Sequence, residues 1–166
     1  NLPAISGASL TGVTGKIVQI VNVLDSTYAS GTTLIPNDAT IPQITEGDQY
    51  MTLAITPTSA TNKLLIYWNI GIQATNGTSV CYSALFNTDT HATNALASVG
   101  SQDGGANNQQ HTSGMHYMTA GVTSAMTFTI RAGNSVAGTY SFNGAAGSDR
   151  HSTSGQSSIT ITEIAV

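Results

Sequence analysis

Charge is what this chain most lacks. Asp, Glu, Lys and Arg make up 7% of its 166 residues, against about 25% in ordinary globular domains. Lys16, Lys63, Arg131 and Arg150 are its four fixed cations, and the net charge is -4. So few cations cannot form the basic stripe that neutralises phosphates, which excludes nucleic acid as a partner. One cysteine, Cys81, excludes an internal disulfide; its strand-like surroundings, "SVCYSALF", predict a buried, inert thiol. No apolar run approaches the roughly 18 residues of a membrane span, so membrane insertion is not expected. The opening "NLPAISGASL" lacks the basic region of a signal peptide. Asn1 is not a natural start residue, which suggests a processed product or part of a longer chain.

Catalytic motifs are missing as well. No HxxxH pair on a helix, no Gly-Lys phosphate loop and no GxSxG elbow occurs. The acidic residues are scattered singly through loops and strand ends. Glu46 and Asp48 in "TEGDQ" could face one another, but a solvated turn is the simpler reading. His111 and His116 are five apart in a candidate strand, so they point to opposite faces and cannot share an ion within one subunit. One histidine from each of three chains could meet on a three-fold axis, yet ordinary hydrogen-bonded histidines are the expectation. The chain is therefore expected to be no enzyme and to need no metal or cofactor.

What the chain does have is 40% hydrophobic residues, enough for one domain with a core. They fall in short runs of Thr, Val, Ile and Tyr broken by Gly, Asn, Pro and Ser, with no sustained helical period. Strands are predicted at 16–28, 49–56, 63–74, 79–88, 94–99, 111–120, 126–132, 138–143 and 157–166. Asn76-Gly77, between two long strands, supplies the two positive-φ residues of a type I′ turn. Residues 29–48 predict a long loop with a short edge strand, and 100–110 and 144–156 two further polar loops. About eight antiparallel strands with regular turns imply a single-domain, all-β jelly-roll sandwich. Tyr67 and Trp68 are adjacent in a strand and so face opposite ways, with at least one in a core or interface. Tyr28, at the mouth of a long loop, is the better exposed stacking platform.

The closing segment "SSITITEIAV" is apolar on both faces. Ile159 and Ile161 share one face with Glu163; Ile164 and Val166 lie on the other. A buried Glu163 needs a partner, and with cations so scarce Lys16 or Arg131 is expected to supply it. The order "GKIVQIVNV", "LAITPTSATNKLLI", "FTIRAGNSVAGTYSF", "SSITITEI" resembles the C-terminal domains of bacteriophage tail fibres and related virion fibres, over residues 15–166. The preceding "LPAISGASLTGVTG" is similar to the junction after a fibre shaft.

That resemblance implies a homotrimeric, tumour-necrosis-factor-like or C1q-like jelly roll at a fibre end, in the virion or outside the cell. Residues 1–15 would form the shaft-to-head junction and 16–166 the head. The last strand would lie with one face on its own core and the other toward the three-fold axis, with Ile159, Ile161, Ile164 and Val166 as trimer-interface residues. The expected partners are a host surface glycan or protein, and other virion proteins through an upstream region. If strands alternate from residue 16 and 94–99 merely extends the strand before it, the loops at 28–48, 75–78 and 144–156 lie at the distal end and 100–110 at the shaft end. Tyr28, Asn76, Asp149, Arg150 and His151 are then the candidate ligand contacts. A capsid-decorating or collar head, and a carbohydrate-binding or adhesin module of a secreted bacterial protein, are the alternatives.

Overall fold

The computed structural model describes residues 16–75, 79–91, 93–102 and 105–166. The junction at 1–15 and the Asn76-Gly77 turn, with the candidate contact Asn76, lie outside the described residues. The strands are β1 (Ile17–Asp25), β2 (Ala29–Gly31), β3 (Asp48–Ile55), β4 (Lys63–Ala74), β5 (Val80–Asn87), β6 (Ala97–Gln102), β7 (Gln110–Thr119), β8 (Met126–Asn134), β9 (Tyr140–Phe142), β10 (Gly144–Ala145), β11 (Ser148–Asp149) and β12 (Ser157–Ile164). No α-helix occurs among the described residues.

Two antiparallel sheets face each other. One has the order β3-β8-β5-β6. In the other, β4 is flanked by β7 along one edge and by β12 and then β9 along the other, with β1 outside β12 and β2 outside β9. This is the jelly-roll sandwich the strand pattern predicts. Alternation in β4 explains its core: Leu64, Ile66, Trp68, Ile70, Ile72 and Ala74 all point inward and have no exposed surface. Val21 and Val23 lie opposite Ile161 and Ile159 and close the same interior. Each such buried aliphatic side chain contributes about 1.5–3 kcal/mol. The Trp68 indole donates to Ser83 Oγ at 2.9 Å and lies over Gly114, where a Cβ would come within 2.1 Å of the ring.

Residues 32–47 form a strap across the far face of the β3-β8-β5-β6 sheet. Ile35 packs on Ala84 and Phe86 there, and for this reason β5 is apolar on both faces. Arg131 anchors the strap, donating to the carbonyls of Glu46 at 2.9 Å and Gly47 at 2.7 Å. Glu46 and Asp48 are not a facing pair. Glu46 accepts from the backbone of Gln43, whereas Asp48 accepts from Thr32, Thr33 and the Tyr140 hydroxyl.

Two expectations about strand bounds need correction. The predicted strand 16–28 stops at Asp25, three residues short, and the short edge strand expected within 29–48 is β2, at the sheet edge outside β9. The segment around 97–102 is not an extension of β5 but a full antiparallel partner, with Val80 opposite Gln102 and Leu85 opposite Ala97. That extra reversal moves the next loop to the other end of the sandwich, and Asn107 N donates to Ala74 O. The 105–109 segment therefore sits beside the end of β4, with the other long loops. Lys16 and Ala165 mark the opposite end, joined by a 2.8 Å backbone hydrogen bond.

Candidate functional site

The outward face of the β1-β12-β4-β7 sheet is built of cross-strand rows. One runs Ile20, Thr162, Leu65, Tyr117; the next Asn22, Thr160, Tyr67, Met115; the third Leu24, Ser158, Asn69, Ser113. Nothing in the described chain covers them. Ile20 is 57% exposed, Leu24 57%, Tyr67 47%, Met115 65% and Tyr117 56%. The three rows contain no charged side chain, and their polar members bond along the face: Asn22 to Thr160 at 2.8 Å and Ser113 to Asn69 at 2.9 Å. Tyrosine and methionine without charge form the composition of an interface centre rather than of a solvated surface.

The terminal strand answers to this face only in part. Ile164 is on it, opposite Lys63, and Val166 is 70% exposed beside it. Ile159 and Ile161 are corrected: both have 0% exposure within a single chain, because β12 is a central strand whose inner face completes the chain's own core. Glu163 shares that inner face, but neither Lys16 nor Arg131 reaches it. Its carboxylate accepts from Asn62 Nδ2 at 2.6 Å, Gln19 Nε2 at 2.6 Å, and Thr58 N and Oγ1 at 2.8 Å each. Burial pushes the Glu163 carboxyl up, but the hydrogen bonds from Asn62, Gln19 and Thr58 outweigh it and hold the pKa down at about 2.

A second surface arises where the sheet is interrupted. β9 and β12 lie in line along one edge of β4, Phe142 opposite Ile72 and Ser158 opposite Asn69. Residues 143–156 are an excursion from that line, and the break between β1 and β2 lies alongside it. Asn143 ties the two breaks together. It donates through Nδ2 to Asp25 O at 2.7 Å, accepts from Ser157 Oγ at 2.6 Å, and donates its own N–H to Gly71 O at 2.9 Å. The excursion begins as the small β10–β11 hairpin, with Gly144 opposite Asp149. Gly144 fits because it has no side chain: a Cβ would come within 2.3 Å of Ser148 O and 2.6 Å of the Tyr28 ring.

Tyr28 is thus half-buried against the root of the hairpin that carries Asp149, and the structure brings these two candidates together. Arg150 and His151 follow directly after the hairpin's second strand, both exposed. Sequence reasoning missed Asn143, though an Asn-Gly pair at the edge of a polar loop was the available signal. It also missed Ile20, Leu24 and Met115, whose signal was a strand apolar at both parities.

Elsewhere the chemistry is sparse. His111 lies on the outward face and hydrogen-bonds Asn69 Oδ1 at 3.3 Å; His116 is on the opposite face, its pKa lowered by burial and by His91. Among the described residues no three His, Cys, Asp or Glu side chains are placed to hold a metal. A groove of about 310 Å³ between the strap and β6 is lined by Thr40, Ile41, Pro42, Ala95, Leu96, Ala97 and Ser98, none of them an acid, base or strong nucleophile.

No protein-family model matches the chain, and no curated protein does. Among solved structures it is similar to the VP2 subviral particle of infectious bursal disease virus, with TM-score 0.44 and 11% identity over 87% of this chain and 32% of that one. It is similar also to Eiger TNF from S. frugiperda, with TM-score 0.44 and 12% identity over 89% of this chain and 92% of that one. A CBM4 structure gives TM-score 0.38 and 14% identity over 82% and 79%. The chain spans about a third of the VP2 chain it matches. Its fold is assigned from its own strand order and pairing.

Proposed function

We propose that this chain is a non-enzymatic attachment domain at the tip of a virion fibre, working as a homotrimer and recognising a host-surface glycan or protein. The observation that carries the reading is the outward face of the β1-β12-β4-β7 sheet, which is broad, rich in exposed aromatic and aliphatic side chains, free of charge in its central rows and left uncovered by the described residues. Three copies meeting on that face would bury Ile20, Leu65, Tyr67, Met115 and Tyr117 around one axis, with Ile164 at its border. The resemblance of the "ITPTSATNK" turn and the "SSITITEI" ending to virion fibre domains supports the trimer over other assemblies. An upstream region joined at Lys16 would enter at the end where Ala165 lies, leaving the long loops pointing away from it. Weak sites on those loops, repeated three times per fibre, gain avidity without a deep pocket.

Light scattering tests the assembly, and competition of soluble protein with virion adsorption tests the function. A trimer that competes supports attachment; a trimer that does not would leave a collar or capsid-decorating head. One observation favours a second reading. Tyr67 and Tyr117 beside Asn69, Ser113 and Thr160 on a flat sheet also suit stacking and hydrogen bonding to a sugar, as in a carbohydrate-binding module. That reading requires a monomer whose glycan binding is lost on replacing Tyr67 with Ala.

A further inference from the structure

We infer that the exposed segment 149–152 of the 143–156 excursion is an anion subsite, taking the carboxylate or phosphate of an acidic surface glycan on Arg150; this rests on the attachment reading and names its ligand class. The root of the excursion is fixed. Asn143 is bonded on every side, Ala145 is buried, and Ala146 N donates to the wholly buried Gln73 at 3.1 Å. Residues 146–152 are exposed and add nothing to the core, yet the backbone of the excursion is held in a costly form. Among the described residues five non-glycine residues have left-handed φ, and four of them, Asn143, Ala146, His151 and Ser152, lie in this excursion. Such conformations persist where the surroundings over-determine them, and they make a loop that loses little freedom on binding.

The excursion also holds the only unengaged cation at its end of the molecule, among the described residues. Lys16 and Lys63 lie at the opposite end, and Lys63 donates to Thr119 at 2.6 Å. Arg131 is occupied by two strap carbonyls. The carboxylate of Asp48 is already met by Thr32, Thr33 and Tyr140. That leaves Arg150, exposed and flanked by Asp149 and His151, as the one guanidinium free to offer a planar fork to an oxyanion. Asp149 would accept from sugar hydroxyls while repelling the anion, and His151 adds a donor.

The probes are a hexuronate-containing polysaccharide, the same polymer with its carboxyls reduced to alcohols, and a phosphodiester-linked glycan, each titrated against the whole protein. Arg150→Ala should weaken binding of at least one acidic probe tenfold or more, Arg150→Lys should fall between, and Asp149→Asn should tighten it severalfold. The acidic probe that binds names the source of the anion. Binding of neither acidic probe, equal binding of the reduced polymer, or wild-type binding by Arg150→Ala overturns the subsite. Protein that adsorbs to host cells with Arg150→Ala unimpaired would overturn the subsite alone, whereas protein that adsorbs to no host surface would overturn the attachment reading itself.

Discussion

Glu163 shows how a chain this poor in charge holds a buried carboxylate. Its partners are amides, a hydroxyl and a backbone N–H drawn from two distant segments: Gln19 in β1, and Thr58 and Asn62 in the turn before β4. The "ITPTSATNK" turn and the "SSITITEI" ending, far apart in sequence, are thus two halves of one hydrogen-bonded cluster. Replacing Glu163 with Gln puts an NH₂ where only donors converge, and should lower stability by about 2 kcal/mol at pH 7 in denaturant melts. The folded pKa is depressed to about 2 from 4.5, so the carboxylate's contribution is full above pH 4.5 and is lost as pH falls toward 2. The gap between wild type and Glu163→Gln should close over that window; a gap constant down to pH 2 would count against the cluster. Gly114 is a steric counterpart. Gly114→Ala drives a Cβ into the Trp68 ring and should cost about 1–3 kcal/mol, read as a fall in melting temperature.

At the scale of elements, β12 is paired on both sides, to β1 through eight residue pairs and to β4 through seven. A chain ended after Ser158 leaves both neighbours as bare edges and opens the core at Ile159 and Ile161. It should give no soluble folded protein, and recovery of such a protein with a native circular dichroism spectrum would contradict the topology. The 143–156 excursion is the opposite kind of element. Its root is packed and residues 146–152 are exposed, so Arg150→Ala and His151→Ala should leave the melting midpoint within about 0.5 kcal/mol of wild type. Asn143→Ala should lower it by about 2 kcal/mol, since it removes the bonds to Asp25 and Ser157 and leaves alanine at a φ of 53°.

For the whole molecule, the decisive feature is that, among the described residues, one sheet is covered on its outward side and the other is not. The strap at 32–47 covers the outward side of β5 and β8, whereas the outward side of β1, β12, β4 and β7 keeps its aromatic and aliphatic side chains in water. Placing Asp at both Ile20 and Tyr117 charges that face without touching the core. The variant should remain folded by circular dichroism and should run as a monomer in light scattering where wild type runs as a trimer. A folded variant that is still trimeric would remove this face from the assembly.

The strands were legible in the sequence because alternation is local: β3, β4, β5, β7, β8 and β12 stand within a residue or two of where Val, Ile, Thr and Tyr place them. So was the burial of Trp68 or Tyr67, and the opposite facing of His111 and His116, since parity alone decides both. Pairing is not local, and everything that depended on it had to come from the folded chain. Parity put Ile159 and Ile161 on one face but could not say that this face is the chain's own core. Scarcity of cations suggested Lys16 or Arg131 for Glu163, but hydrogen-bond donors serve a buried carboxylate as well, and the neighbours of β12 supply them. One uncounted reversal at β6 sent the 100–110 loop to the wrong end. Arg150 was visible as a charge in a loop. That it stands on a fixed root beside Tyr28 follows only from β9 and β12 lying in line along β4, because a gap in one strand must be met by a gap in the next.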